Sequence, residues 1–134
     1  MQLRSLRGVA TGLALIATAA CSPASPSQNQ VETLTGSVAL KGFGLTDQFF
    51  STSKSGEYSV TLLTLVPAPI GPVTVSLGTV TSGVCGNTGP SNGFATRNAV
   101  VLQGAIQRGT FCIFVLDQGT LVADSNFTVS VSHP

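Results

Sequence analysis

From Val31 onward, apolar and polar residues alternate with a period of two, and Gly, Pro and Asn interrupt them at short intervals. No stretch of useful length carries the i, i+3, i+4, i+7 spacing of a packed helix. The pattern predicts short strands. Ser37 to Lys41 is the first, ended by Gly42 and Gly44, and Asp47 to Ser53 is the second. Ser55-Gly56 then makes a tight turn. Glu57 to Val66 is the clearest strand: Tyr58, Val60 and Leu62 share one face, and Ser59 and Thr61 the other. Leu63 and Leu65 break this alternation, which predicts either a strand covered on both sides or a bulge.

Pro67, Pro69 and Pro72 must stop that strand, because proline donates nothing to a ladder. Val73 to Thr81 resumes, with Val73, Val75 and Leu77 on one side and Thr74 and Ser76 on the other. Gly83 to Gly93 (GVCGNTGPSNG) reads as a long loop. Phe94 to Leu102 is mixed and ends in an apolar run, and Gln103 to Gly109 reads as a turn region. In Thr110 to Leu116, Phe111, Ile113 and Val115 point to the core, with Cys112 and Phe114 opposite. Asp117-Gln118-Gly119 turns, and Asn126 to Ser132 closes the domain with Phe127, Val129 and Val131 inward. Seven to eight short strands without helices predict an all-β fold, an antiparallel β-sandwich, with a small barrel as the alternative.

The first 30 residues follow different rules. Arg4 and Arg7 precede an uncharged run, Val9 to Ala20, and no acid occurs before Glu32. This is the layout of a cleaved secretory signal, and the run is short of the roughly 20 apolar residues that span a bilayer. Thr18-Ala19-Ala20-Cys21 matches a bacterial lipobox, in which cleavage precedes a cysteine whose thiol carries diacylglycerol. Thr18 stands where Leu is usual. Ordinary signal cleavage after Ala19 or Ala20 is the competing reading, and it releases a secreted protein. Ser22 lacks the Asp that favours inner-membrane retention in diderm lipoproteins, which points to the outer membrane, facing either the periplasm or the exterior. Ser22 to Gln30 (SPASPSQNQ) has no charge and no large apolar residue, so it reads as a tether. The expected organisation is a signal peptide at 1–20, a tether at 21–32 and a β-sandwich domain at 33–134.

Cleavage leaves four bases against five acids, a net charge of −1 over residues 21–134. The four bases, Lys41, Lys54, Arg97 and Arg108, are scattered, so no basic patch of the kind that neutralises phosphates is visible and no nucleic-acid partner is expected. Three cysteines form an odd set in an exported chain. If Cys21 carries lipid, Cys85 and Cys112 remain as a pair for a disulfide, which the oxidising compartment permits; two unbridged thiols are the alternative. No C-x-x-C occurs and the sole histidine is His133, so no metal site or cofactor is expected.

The run GEYSVTLLTLVPAPIGPVTVSLGTV, a cysteine in a loop, GTFCIFVLDQGTL and the closing FTVSVSHP resemble the bacterial pre-peptidase C-terminal domains, in the stand-alone version found in short exported proteins. The resemblance covers Leu34 to Pro134. It implies a jelly-roll-like sandwich with an accessory or binding role. Some distant relatives bind calcium or collagen through acid-rich N-terminal segments; here that segment offers Glu32 alone.

No catalytic set stands out. His133 sits at a position that normally frays. Asp47, Asp117 and Asp124 are the carboxylates available for a site, but turn formation accounts for Asp117 and Asp124. Among the aromatics available for a binding stripe, Tyr58 is assigned to the core and Phe114 outward by parity, with Phe94 also available. The expectation is a lipid-anchored, non-catalytic envelope protein, attached to the membrane through Cys21 and binding a protein or glycan. The alternatives are a structural or assembly subunit, and a secreted protein of the same fold.

Overall fold

The computed structural model describes residues 29–134, so the signal, Cys21 and the tether up to residue 28 lie outside the described residues. The described chain is all β, with ten antiparallel strands and no helix. They are β1 (Gln30–Val38), β2 (Phe43–Thr46), β3 (Phe50–Thr52), β4 (Gly56–Val66), β5 (Val73–Thr81), β6 (Val84–Gly86), β7 (Ser91–Ala95), β8 (Ala99–Ile106), β9 (Gly109–Leu116) and β10 (Ser125–His133).

The hydrogen-bonded order is β6-β5-β9-β2-β1-β10-β4-β8, with β3 joined to β9 and β7 to β5. This single sheet curls into a sandwich-like body. One layer holds β1, β10, β4 and β8, and the other holds β5 and β9 with the short strands. β2 turns the corner, pairing Gly36–Val38 on one side and Phe114–Leu116 on the other. The inward faces follow the period-two pattern. Tyr58, Val60, Leu62, Val73, Val75, Leu77, Phe111, Ile113, Val115, Phe127, Val129 and Val131 are all buried.

The late break in the β4 alternation is a bulge. Val129 pairs with Leu62 and Thr128 with Thr64, so Leu63 is the extra residue and Leu65 returns to the core. A second irregularity pairs Val60 with Leu102 but Thr61 with Val100, which buries both Val101 and Leu102.

Four sequence expectations need correction. The first strand begins at Gln30, before the expected domain start at 33, and ends at Val38, while Gly44 lies inside β2. The second candidate shrinks to Phe50–Thr52. Gln103 to Ile106 is not turn but the second half of β8, paired with Gly56–Ser59. Gly83 to Gly93 is not a plain loop: β6 and most of β7 lie within it, both on the edge of β5. These additions raise the strand count from the expected seven or eight to ten.

The β5–β6 hairpin closes through Ser82 and Gly83, both at positive φ (52° and 77°), with Thr81 opposite Val84. This is the conformation that two-residue hairpins demand. The segment is then stapled by the Cys85–Cys112 disulfide, whose Cα atoms are 6.2 Å apart. The bridge joins β6 to β9 across the intervening β5.

Candidate functional site

The chain enters the sandwich at Asn29, whose amide donates to the Glu57 carbonyl and to Ser132 Oγ. This near end also carries the starts of β4 and β9 and the ends of β5, β8 and β10. The opposite, far end carries the turns 39–42, 67–72, 96–98 and 117–124. The two ends differ in chemistry.

At the near end the core is closed by polar and aromatic groups. Glu32 and His133 lie on the inward faces of β1 and β10. His133 Nε2 is 2.8 Å from Glu32 Oε1, its Nδ1 is 3.2 Å from the Pro134 carbonyl, and the residue is fully buried. Its ring lies 5.1 Å from that of Phe50, which stacks on Phe111 at 5.6 Å. Far from fraying, His133 is a plug of the core. The partner that buries it lies 101 residues away in sequence, so no local pattern would have revealed it.

At the far end the carboxylates serve the backbone. Asp117 Oδ1 accepts from the N–H groups of Gly119, Thr120 and Leu121, and Oδ2 accepts from that of Lys41. Burial alone would raise its pKa, but these four hydrogen bonds outweigh burial and hold it below the ordinary carboxylate value. Asp124 accepts from the Leu40 N–H, and Asp47, beyond the other end of β2, accepts from Thr35 Oγ1. The three carboxylates are thus fixing turns and strand ends. Among the described residues, no three His, Cys, Asp or Glu side chains come together in a way that would hold a metal ion.

Among the described residues eleven large apolar side chains are exposed, and seven of them sit at the far end: Leu40, Phe43, Val66, Ile70, Phe94, Leu116 and Val122. Val31, Phe49 and Val84 lie elsewhere, and Val100 lies mid-sheet opposite Thr61. Phe94 and Ile70 are the most open, at 84% and 81% of full exposure. Of the aromatics named from sequence, Tyr58 is buried and Phe94 is exposed. Phe114 is half-buried beneath Phe43, with ring centroids 6.1 Å apart. Phe43 and Ile70 were not singled out from the sequence. A lone large apolar residue inside the Pro-rich turn Pro67 to Pro72 was the available signal for Ile70.

A cleft of about 320 Å³ opens at this end between Pro69–Gly71 and Ala95–Asn98. Buried Leu62, Leu65 and Ala95 form its floor. Arg97 is the one charged residue lining it.

Comparison with protein families, characterised proteins and solved structures finds no match to this chain. The geometry of the far end therefore carries the functional reading.

Proposed function

We propose that this protein is a lipid-anchored, non-catalytic component of the bacterial cell envelope whose β-sandwich binds a protein or glycan partner through its far end. One observation carries the reading: among the described residues, seven of the eleven exposed large apolar side chains crowd the end opposite Asn29. Exposed apolar side chains scattered singly need no explanation, but a concentration of them marks an interaction surface. A tether joined at Asn29 presents that surface away from the membrane.

The anchor rests on sequence. Thr18-Ala19-Ala20-Cys21 supplies the lipidation motif and Ser22 to Gln28 a spacer. The bridge between Cys85 and Cys112 leaves Cys21 as the odd cysteine, as a lipid-bearing thiol would be. Ser22 favours the outer membrane. The likeness to pre-peptidase C-terminal domains rests on the motifs quoted above and fits an accessory role.

One observation favours the assembly-subunit alternative. The stretch Asn98 to Gln107 contains no charge and no proline, and it includes all of β8, the last strand of the hydrogen-bonded order. Such an edge lacks the usual protection against pairing with another strand.

The test pairs mass spectrometry with binding. Membrane-fraction protein should have lost residues 1–20, gained the mass of a lipid and lack two hydrogens for the bridge. The tagged exported protein, screened against purified envelope polysaccharides and envelope proteins, should bind one of them. Ile70→Ser with Phe94→Ser should abolish that binding without changing the melting temperature. Soluble, unlipidated protein would overturn the anchor, and binding indifferent to the double substitution would overturn the far-end reading.

A further inference from the structure

We infer that this protein forms a two-fold dimer in which the end of β8, Leu102 to Ile106, pairs antiparallel with the same segment of a second copy. Such a dimer rests on the unprotected-edge reading of β8 and is independent of the far end.

The free part of β8 has sharp limits. β8 closes one side of the hydrogen-bonded order and pairs on its other side with β4. Its first half is covered, because the Asn92 amide on β7 donates to the Val101 carbonyl at 2.9 Å. Gln107, just past its end, is held by its own fold: its carbonyl accepts from Thr52 Oγ1 and its side chain from Ser55 Oγ. Between these points no further described strand pairs with β8, and Gln103, Gly104 and Ala105 are exposed in succession. Such an edge presents unpaired N–H and C=O groups, and their natural complement is another strand. Sheets usually blunt their edges with charge, proline or very short strands. β6, at the other end of the order, has only three residues. β8 has eight, and neither charge nor proline occurs between Arg97 and Arg108.

A second observation falls at the same place. Gly104 lies opposite Tyr58 on β4, and a Cβ on Gly104 would stand 3.7 Å from Tyr58 Cε1. The hydroxyl of that tyrosine is the one buried side-chain polar atom among the described residues without a hydrogen-bond partner. Buried polar groups are nearly always satisfied, so this orphan marks the corner behind Gly104 as incomplete in a single copy.

The edge is self-complementary, which selects a second copy as its occupant. A two-fold axis brings one surface against itself. With the axis at Gly104, Gln103 stands opposite Ala105 of the second copy and Leu102 opposite Ile106, and no side chain crowds the centre. Opposed residues share a face of the sheet. Ala105 in turn pairs with the exposed Glu57 on β4. Gln103 of one copy therefore reaches across the small Ala105 of the other toward the Glu57 carboxylate, and the contact is made twice. Only the near half of β8 overlaps, so the two far ends point apart and stay open.

Native mass spectrometry and concentration-dependent hydrogen exchange of the exported protein test the pairing. A contact this small is a weak one, so the dimer should appear in the micromolar range and vanish on dilution. Exchange at Leu102 to Ile106 should slow as concentration rises. Gln103→Glu with Ala105→Glu sets like charges opposite each other and beside Glu57, and should weaken the dimer by about tenfold or more. Both side chains are exposed, so the melting temperature of the dilute monomer should not change. Mixing that variant with Gln103→Lys, Ala105→Lys protein should restore a dimer, of mixed mass. A monomer at every concentration up to about 1 mM, a dimer indifferent to the glutamates, or mixing that restores nothing overturns the pairing. A complex with a different envelope chain in place of the dimer, lost in the glutamate variant, assigns the edge to a foreign strand and overturns the second copy. Ile70→Ser with Phe94→Ser should leave the dimer intact, so the far-end reading stands or fails separately.

Discussion

A Cβ placed on Gly78 would stand 2.7 Å from Cys112 Sγ, because the Cys85–Cys112 bridge passes directly over that residue on β5. The same Cβ would meet Cys85 Sγ at 2.9 Å and the Gly86 carbonyl at 2.8 Å. A bridge between strands on either side of β5 has room only over a glycine. Gly78→Ala should therefore prevent bridge closure and cost the roughly 2–4 kcal/mol a disulfide contributes. Each kcal/mol is worth about 4–8 °C in a small domain. Calorimetry with and without reductant checks this: wild type should melt lower when reduced, and the variant should melt low in both states. A variant with unchanged melting and two blocked thiols would contradict the packing.

Asp117 gives a pH-dependent term. Its pKa is lowered in the folded state, so its contribution is complete above about pH 4, the unfolded carboxyl's ordinary value. That contribution is lost as the pH falls through the lower folded value. Asp117→Asn removes the charge that four backbone N–H groups address and should cost about 1–3 kcal/mol at pH 7. In urea titrations the gap between wild type and variant should narrow at pH 3. A gap independent of pH would refute the assignment.

Tyr58 offers a gain. Its hydroxyl is buried without a hydrogen-bond partner, and burial raises its pKa. Tyr58→Phe should leave stability unchanged or raise it by up to about 1 kcal/mol, since an unsatisfied buried group is removed. A urea midpoint that drops by more than that would mean the hydroxyl has a partner.

Glu32 and His133 fasten β1 to β10 at the near end. Glu32→Ala leaves Nε2 buried without its acceptor and should cost about 1–3 kcal/mol. Glu32→Gln keeps an acceptor oxygen and should recover part of the loss. Hydrogen exchange at Gln30 to Thr33 and Val131 to His133 should accelerate in the Ala variant first; unchanged exchange would show that the pair holds nothing.

Legibility in the sequence followed burial. β4, β5, β9 and β10 bury one face each, so alternation placed them, and the parity break at Leu63 left open a bulge or a strand covered on both sides, of which the pairing shows the bulge. β6 and β7 bury almost nothing apolar: Ala95 alone is buried there. They are held by pairing to β5 and by the disulfide, which leave no hydrophobic pattern, though the Ser82-Gly83 turn was a visible cue. The second half of β8, Gln103 to Ala105, is exposed and looked like turn for the same reason. The far-end cluster gathers Phe43, Ile70, Phe94 and Val122 from four separate segments, and only the curl of the sheet brings them to one end.

The central claim is that the far end is the surface this protein presents to its partner. Site-specific photo-crosslinking in intact cells tests it most directly, with a benzophenone side chain placed at Ile70 or, as control, at Val31 at the near end. The account predicts one discrete adduct of defined mass from Ile70, suppressed by Phe94→Ser, and none from Val31. Adducts of equal yield from both positions, or none from Ile70, would contradict it.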